Sequence, residues 1–250
     1  MKTPLRVHVI PVGDDPVGRI VNPAITGRAD KVYFLRFQGH DLFQDVYDAA
    51  RDLLAKKLSL GNDGIKDLTC DFYDVTSLVK VHARICKDEI TRYENHVLIN
   101  VSTGGKLNSI AGMLSAMLFG AEPYFCKMDF EQHDVPPVPD ILGFPRYAIP
   151  RPAMEQVRFL FHLNEEAGRR KSGKVAKGDC IEFLEIRMRD PDFLPEFKAT
   201  TLYNRLKFRF LDKLEREGLI AVEPAKRGSV SITPEGHFAL DVFSVFYDVH

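Results

Sequence analysis

The sequence lacks the features of disulfide-bonded, zinc-binding and membrane proteins. Only four of its 250 residues are cysteine, and none has CxxC spacing or a Cys/His grouping typical of zinc sites. Isolated cysteines are typical of buried thiols in a reducing compartment, so we expect a cytoplasmic chain. The N-terminal apolar run is too short for a signal peptide, and the apolar segment at 107–119 is too short and mixed to span a bilayer.

The chain also lacks an excess of either charge sign. It has 34 Lys and Arg against 35 Asp and Glu, a formal net charge of −1, so no global field attracts it to nucleic acid or membrane. Only local basic patches can indicate such partners.

The common catalytic motifs are missing as well. There is no HExxH, GxSxG or HRD segment, and no GxGxxG follows the first predicted strand. We therefore expect no metal and no resident cofactor.

The first half of the chain alternates strand-like and helix-like segments. This order predicts an α/β fold: a Rossmann-like, mainly parallel sheet with helices on both faces. In such sheets ligands bind beyond the carboxyl ends of the strands, which here are followed by the loops 13–19 and 102–106. Strands are predicted at 5–12, 31–37, 65–74, 96–101 and 122–128, and helices at 42–58, 77–94 and 106–120.

A proline-rich segment separates the two halves. Six of the twenty residues at 133–152 are proline, which disfavours helix interiors and central strands. We expect a sheet domain at 1–132, a stiff linker at 133–151 and a second domain at 152–250.

The second half has the order of an α+β winged helix-turn-helix domain. Helices are predicted at 152–167, 180–188 and 199–218, strands at 219–223 and 229–233, and a closing helix at 234–249. Gly218 is a good C-cap for the third helix. The closing helix carries Phe238, Val242, Phe243 and Phe246, which suit either the core or a dimer interface.

The stretch NVSTGGK at 100–106 is the strongest ligand-binding signal in the first half. Glycine permits positive φ and close approach of a ligand, and the helix that starts near Lys106 points its free N–H groups at an anion. Leu107 follows the lysine where a P-loop has Ser or Thr. In the first loop, Asp14 and Asp15 can bind ribose hydroxyls or cap the following helix, and capping is favoured for at least one. The predicted ligand residues are Gly13, Asp14, Ser102, Thr103, Gly104, Gly105, Lys106 and Asn108.

The strand HVLIN, the turn VSTGGK and the small-residue helix SIAGMLSAML together resemble the CARF domain, the CRISPR-associated Rossmann fold. The line LDKLEREGLIAVEPAKRGSVSITPEGHFAL resembles the winged helix of two-domain archaeal regulators of that group. The resemblance implies a homodimer that binds a cyclic oligoadenylate, or a related nucleotide, across its axis in CRISPR antiviral defence. It implies a transcriptional regulator that binds double-stranded DNA.

In the third helix of the winged-helix domain, one face is predicted to be core and another to contact DNA. Leu202, Leu206, Phe210 and Leu214 recur at core spacing with Tyr203 beside them, while Phe208 suits either a thymine methyl or the second helix. The loop at 169–178 adds Arg169, Arg170, Lys171, Lys174 and Lys177. The predicted DNA-binding residues are Thr201, Asn204, Arg205, Arg209, Lys226 and Arg227.

Two other functions stay open at the level of sequence. The first is a nuclease or ring nuclease that slowly opens a cyclic oligoadenylate, with Lys106 stabilising charge on the phosphate. The second is a metabolic α/β enzyme whose winged helix is a protein-interaction module.

Overall fold

The computed structural model describes residues 3–39, 42–61, 63–129, 136–145, 147–187, 202–225 and 228–250. Internal contacts divide the chain into two units, Met1–Arg151 and Pro152–His250. The sequence places 133–151 between the domains, whereas these contacts include that segment in the first unit. Three of its residues, Ile141–Gly143, form an edge strand of the sheet there.

In the first unit, the described residues form a six-stranded sheet and four α-helices. A π-helical segment, Lys87–Arg92, extends the third helix. The strands are β1 (Arg6–Pro11), β2 (Lys31–Phe37), β3 (Ile65–Cys70), β4 (His96–Asn100), β5 (Glu122–Cys126) and β6 (Ile141–Gly143). The helices are α1 (Val17–Thr26), α2 (Gln44–Leu58), α3 (Val75–Cys86) and α4 (Lys106–Phe119).

The strand order confirms the predicted Rossmann-like class. It runs β3-β2-β1-β4-β5-β6, with β1 to β5 parallel and β6 antiparallel to β5. The order reverses between β1 and β4: from β1 the chain continues to β2 on one side, and from β4 it continues to β5 on the other side. Such a switch point opens a crevice at the carboxyl ends of the strands, where ligands of this fold bind.

The helices cover both faces of the sheet because alternate strand residues point to opposite sides. Ile10 and Phe34 are fully buried in a core cluster with Ile20 of α1 and Leu54 of α2. On the other face, a Cβ added to Gly112 of α4 would lie within 3.1 Å of Ile99. The apolar strands predicted from the sequence are therefore buried on both sides, as parallel strands usually are.

Two elements of the first unit are not evident from the sequence. Helix α1 contains Pro23, which lacks an N–H group and normally disfavours a helix interior. Because α1 starts at Val17, the loop after β1 is shorter than the predicted loop 13–19. Strand β6 lies in the proline-rich segment, at the sheet edge where a missing donor is tolerated.

A buried carboxylate anchors the π-helical segment to the sheet. Glu89 is 1% exposed and accepts hydrogen bonds from Lys31 (2.5 Å), Tyr33 (2.6 Å) and Asn95 (2.7 Å). Burial by itself raises the pKa of Glu89, but these three donors outweigh it and hold the pKa below its ordinary value. The ionised carboxylate is thus satisfied, which is what a buried charge requires.

The second unit has the element order of a winged helix. Its helix α7 continues through a π-helical segment, Lys207–Leu211, into α8, and its three strands pair antiparallel in the order β7-β9-β8. The elements are α5 (Met154–Gly168), β7 (Val175–Ala176), α6 (Cys180–Arg187), α7 (Leu202–Leu206), α8 (Asp212–Arg216), β8 (Ile220–Val222), β9 (Ser229–Ile232) and α9 (Pro234–Tyr247).

Three aromatic rings form the centre of the second core. The rings of Phe159, Phe183 and Phe210 lie with their centroids 5.1–5.5 Å apart, in tilted and edge-on contacts. Leu206, Phe210 and Leu214 are buried, which confirms these three positions of the predicted core face of the third helix, whereas Leu202 is half-buried. Tyr203 is 36% exposed, so its predicted core position is wrong.

The ends of the helices in this unit are fixed locally. Gly218 has φ +74°, and the next N–H, of Leu219, returns to the Leu214 carbonyl at 2.8 Å, which closes the third helix as predicted. The Thr233 hydroxyl accepts from the Gly236 N–H at 3.0 Å and caps α9. Phe243 and Phe246 of α9 are buried in the chain, and Val242 is fully buried. Among the described residues, none of the helices combines the length and apolarity that crossing a bilayer demands.

Candidate functional site

The loops after β1 and β4 touch at the switch point. A Cβ added to Gly13 would lie 2.9 Å from the Cα of Gly104, closer than real contacts allow. The Thr103 hydroxyl is fully buried and donates to the Pro11 carbonyl at 2.7 Å. Two predicted ligand loops, distant in sequence, are therefore held against each other.

The turn between β4 and α4 depends on its two glycines. Gly104 has φ +77° and Gly105 has φ +87°, conformations that residues with a Cβ rarely adopt. A Cβ on Gly104 would also lie 2.4 Å from the Cβ of Pro11. Gly105 is the N-cap of α4 and has no side chain to cap it, and Lys106, the first residue of the helix, is exposed. The uncapped, exposed helix start carries positive potential.

Asp15 was not among the predicted ligand residues, yet its side chain lies against this turn. Its Oδ2 accepts from the Gly104 N–H at 2.8 Å, and its Oδ1 lies 3.5 Å from Arg19 Nη1. Burial raises the pKa of Asp15, although the Gly104 hydrogen bond and the Arg19 charge oppose that rise. The prediction that one of the two loop acids caps α1 is wrong, because the N-cap is Pro16 and receives no side-chain bond.

Three predicted ligand donors point into the protein instead. The Ser102 and Thr103 hydroxyls donate to Asn100 and Pro11, and Asn108 donates from Nδ2 to the Gly104 carbonyl at 2.5 Å. All three residues are buried, so they shape the turn and do not present donors to solvent. Of the predicted ligand residues, Asp14, Gly105 and Lys106 are exposed.

A buried network ties the turn to the rest of the sheet. Asn100, at the end of β4, is fully buried, accepts from the Ser102 N–H at 2.9 Å and donates to the Arg19 carbonyl at 3.3 Å. Arg19 in turn donates from Nε to the Cys126 carbonyl at 3.1 Å. The sequence signal for this network is an acid and an arginine four residues apart, Asp15 and Arg19, directly after the first strand.

Two buried histidines lie in the first unit, away from solvent. His8 is 2% exposed with its Nδ1 3.2 Å from the Tyr124 hydroxyl, and burial, assisted by Arg6, lowers its pKa to about 4. His82 is fully buried with its Nδ1 2.9 Å from the Leu78 carbonyl, and burial lowers its pKa to about 4. Both are neutral at pH 7, and the described part of the chain holds no cluster of three or more possible metal ligands.

Helix α4 carries an apolar stripe on its outer side. Ile110 is 56% exposed, and Leu107, Leu114 and Met117 are half-buried at spacings of three and four residues. These spacings place the four side chains on one helical face. The stripe begins one residue after Lys106, next to the glycine turn.

In the winged-helix unit, part of the predicted DNA-contacting set is described. Asn204 and Arg205 are half-buried and Arg209 is exposed on the third helix. Phe208 is 64% exposed, which excludes the alternative that it packs against the second helix, and Lys207 Nζ lies 5.6 Å from its ring centroid. The other predicted residues, Thr201, Lys226 and Arg227, lie outside the described residues.

The basic loop at 169–178 is largely neutralised by the protein itself. Arg170 bonds Asp179 at 2.7 Å, and Lys174 bonds Glu223 at 2.8 Å. Lys177 is 7% exposed and donates to the Glu223 and Ala225 carbonyls. Most of the basic side chains of this loop therefore have an acidic or carbonyl partner within the protein, and their contact with DNA stays a prediction.

Two protein-family models match the chain. The model described as "HFX_2341_N:-like, N-terminal" matches residues 6–130, which is the sheet unit up to β5. The chain belongs to this family. A second model, the DUF6293 C-terminal winged helix domain, matches residues 155–244. The predicted combination of a Rossmann-like sheet domain and a winged helix is confirmed. Among curated proteins, no sequence matches the chain significantly.

Solved structures with a similar arrangement share little sequence with this chain. Csm6 from Enterococcus italicus, bound to cyclic hexa-2'-fluoro-hexa-dAMP, is 10% identical at a TM-score of 0.46, over 87% of this chain and 57% of its own. Can2 from Sulfobacillus thermosulfidooxidans, in complex with cyclic tetra-adenylate, is 13% identical at a TM-score of 0.37, over 96% of this chain and 64% of its own. Protein VC1899 from Vibrio cholerae is 14% identical at a TM-score of 0.40, over 96% of this chain and 65% of its own. This chain spans less than two thirds of the length of each of these three structures.

Proposed function

We propose that this protein is a homodimeric, ligand-responsive transcriptional regulator that senses an anionic nucleotide through its sheet domain and binds double-stranded DNA through its winged helix. The observation that carries the proposal is the exposed, uncapped start of α4 at Gly105 and Lys106, located at the switch point of the sheet. The resemblance to CARF regulators suggests a cyclic oligoadenylate as the ligand and antiviral defence as the setting.

The chemistry of the turn favours a phosphate. The first N–H groups of a helix lack intrahelical partners and together with the dipole act as about half a positive charge. Lys106 adds a full charge on a flexible stem at the same place. Gly105 leaves the backbone accessible, because nothing lies within 4 Å of where its Cβ would be. A phosphodiester therefore finds amide donors and a cation together, while exposed Asp14 is available to a ribose hydroxyl.

The second unit supplies the output. In winged-helix domains the third helix enters the major groove, and here that helix exposes Lys207, Phe208 and Arg209 in succession. The two basic side chains suit phosphates, and the phenyl ring suits an apolar base edge such as a thymine methyl.

The apolar stripe on α4 supports a dimer of this chain. Exposed apolar side chains in one contiguous row mark interaction surfaces, and a two-fold contact covers the same row on both copies. Since Leu107 and Ile110 are near the start of α4, a contact there brings both glycine turns close to the axis. One ligand can then engage both copies.

The direct test compares ligand binding of wild type and Lys106→Ala by calorimetry, with cyclic tetra-adenylate as the probe. Loss of one charge-assisted contact weakens binding by about tenfold, or 1.4 kcal/mol. Lys56→Ala, which removes an exposed lysine from α2, is the matched control and leaves the affinity unchanged. Equal affinities of wild type and Lys106→Ala would contradict the proposed site.

The DNA-binding half is tested separately by mobility shift on the protein's own promoter region. We expect shifted duplex at low salt, with log affinity falling by about 0.9 per phosphate contact for each tenfold rise in salt. A monomer that shifts no duplex at low salt would refute the regulator. Release of linear oligoadenylate from cyclic tetra-adenylate, after long incubation with the protein, would favour the ring-nuclease alternative.

A further inference from the structure

Asp15 occupies a place at the glycine turn that an anion would otherwise take. Its carboxylate accepts the Gly104 N–H at 2.8 Å, and its side chain is only 14% exposed. Arg19, a cation paired with it, is 3.5 Å away and also donates to the Cys126 carbonyl. The turn therefore already holds a negative group supplied by the loop after β1.

A second group at the turn is left unsatisfied. Asn108 is 1% exposed and uses its Nδ2 to bond the Gly104 carbonyl, while its Oδ1 is buried without a hydrogen-bond partner among the described residues. Its Cγ is 3.1 Å from where a Gly104 Cβ would be, so the orphan oxygen lies beside the turn. Buried polar atoms normally have partners, so the orphan oxygen is a place at this turn where a bound group or a rearranged donor would complete the hydrogen bonding.

We propose that Asp15 is a charge-selecting latch: in the ligand-free protein its carboxylate holds the Gly104 amide, and an anionic ligand at the start of α4 must compete with it. The inference rests on the proposed function, because it concerns the same ligand site. It assigns Asp15 a positioning role that acts through the backbone of Gly104. The latch sets how strongly the site favours anions and makes that preference depend on pH.

The surroundings of Asp15 give the sign of the pH dependence. Asp14 lies beside it in the same loop, Arg19 faces it from α1, and the Gly104 amide faces it from the loop before α4. Burial raises the pKa of Asp15, with Asp14 adding to the rise and the other two groups opposing it. As the pH falls toward this raised pKa, the latch loses its charge while a phosphodiester keeps its own. Ligand affinity therefore increases as the solution becomes more acidic.

The experiment measures the affinity of wild type, Asp15→Asn and Asp52→Asn for cyclic tetra-adenylate from pH 5 to pH 8. Asparagine keeps an acceptor for the Gly104 N–H but removes the charge. Asp15→Asn should therefore bind about fivefold tighter at pH 8, because the repulsion between two unit charges roughly 4 Å apart in water corresponds to about that factor in affinity. Its affinity is also less dependent on pH than that of wild type. Asp52, an exposed carboxylate on α2, is the matched control and reproduces wild type.

Each outcome separates the latch from the site itself. If wild type binds and Asp15→Asn binds no tighter with the same pH slope, Asp15 only supports the turn and the latch is refuted. If neither protein binds at any pH, the proposed ligand site fails and the latch fails with it.

A measurement on wild type alone covers the case in which the variant does not fold. The Gly104 amide proton, followed by NMR, should shift as Asp15 titrates and should lose that titration when the probe saturates the site. A titration unchanged by bound probe would overturn the latch.

Discussion

Gly104→Ala tests the geometry of the turn most sharply, because two independent penalties meet at this position. Gly104 has φ +77°, and an alanine Cβ would lie 2.4 Å from the Cβ of Pro11 and 3.1 Å from Asn108 Cγ. Carbon atoms in contact prefer 3.5–4.0 Å, and the Pro11 ring has little freedom to withdraw. The substitution should therefore force a shift of the loop or of β1.

The expected loss of stability follows from adding the two penalties. A left-handed conformation disfavours alanine by about 1–2 kcal/mol, and overpacking a filled site adds about 1–3 kcal/mol. The total of about 2–5 kcal/mol is a large part of the stability of an ordinary domain, about 5–15 kcal/mol. Gly105→Ala is the matched control. Gly105 has φ +87° and ψ 176°, a conformation that residues with a Cβ avoid at a cost of about 1–3 kcal/mol, but open space surrounds its Cβ position, so no overpacking penalty is added.

The assay is urea unfolding of both variants, followed by far-UV circular dichroism because the chain contains no tryptophan. The first unit should lose more stability in Gly104→Ala than in Gly105→Ala. Equal losses in the two variants would refute the close approach of the two loops, and with it the assembled site.

Three further results are expected. His8 and His82 have pKa values lowered to about 4, so below pH 6.5 they take up protons when the protein unfolds. The unfolding free energy is therefore complete above pH 6.5 and falls by about 3 kcal/mol for each histidine as the pH drops to about 4, which urea titrations at each pH would measure. Glu89→Gln leaves Lys31 without its buried partner and lowers the unfolding free energy at pH 7 by about 3 kcal/mol, whereas a change below about 0.5 kcal/mol would contradict the role of the cluster. Phe208→Ala keeps stability within about 0.5 kcal/mol but weakens duplex binding by about fivefold in fluorescence anisotropy, while Ile186→Ala, at an exposed site on α6, leaves both unchanged.

Much of the fold was predictable because its signals are local. Strand β2 lies at residues 31–37 as predicted, since its centre, residues 32–35, is a run of β-branched, aromatic and other apolar residues. Gly218 marked the end of the third helix because its φ of +74° is one that glycine tolerates. The predicted helix bounds leave out α1, because Pro23 weakens the local signal, and the burial of Ile20 and Val21 that supports the helix depends on the folded core.

The candidate site was predictable as a location but not as an arrangement. The glycine pair at 104–105 indicated an anion-binding turn from sequence alone. Whether Ser102, Thr103 and Asn108 face a ligand depends on contacts with Asn100, Pro11 and the turn itself, which no local pattern encodes. Asp15 reaches Gly104 across 89 positions of sequence, and this contact becomes visible only once β1 and β4 are paired.

Native mass spectrometry of the protein purified from its own cells tests the central claim most directly. The account predicts a dimer that carries one retained anionic nucleotide per pair of chains, released on gentle activation without change in the mass of the protein. A monomer of 28.4 kDa with no bound nucleotide, including after addition of cyclic tetra-adenylate, would contradict it.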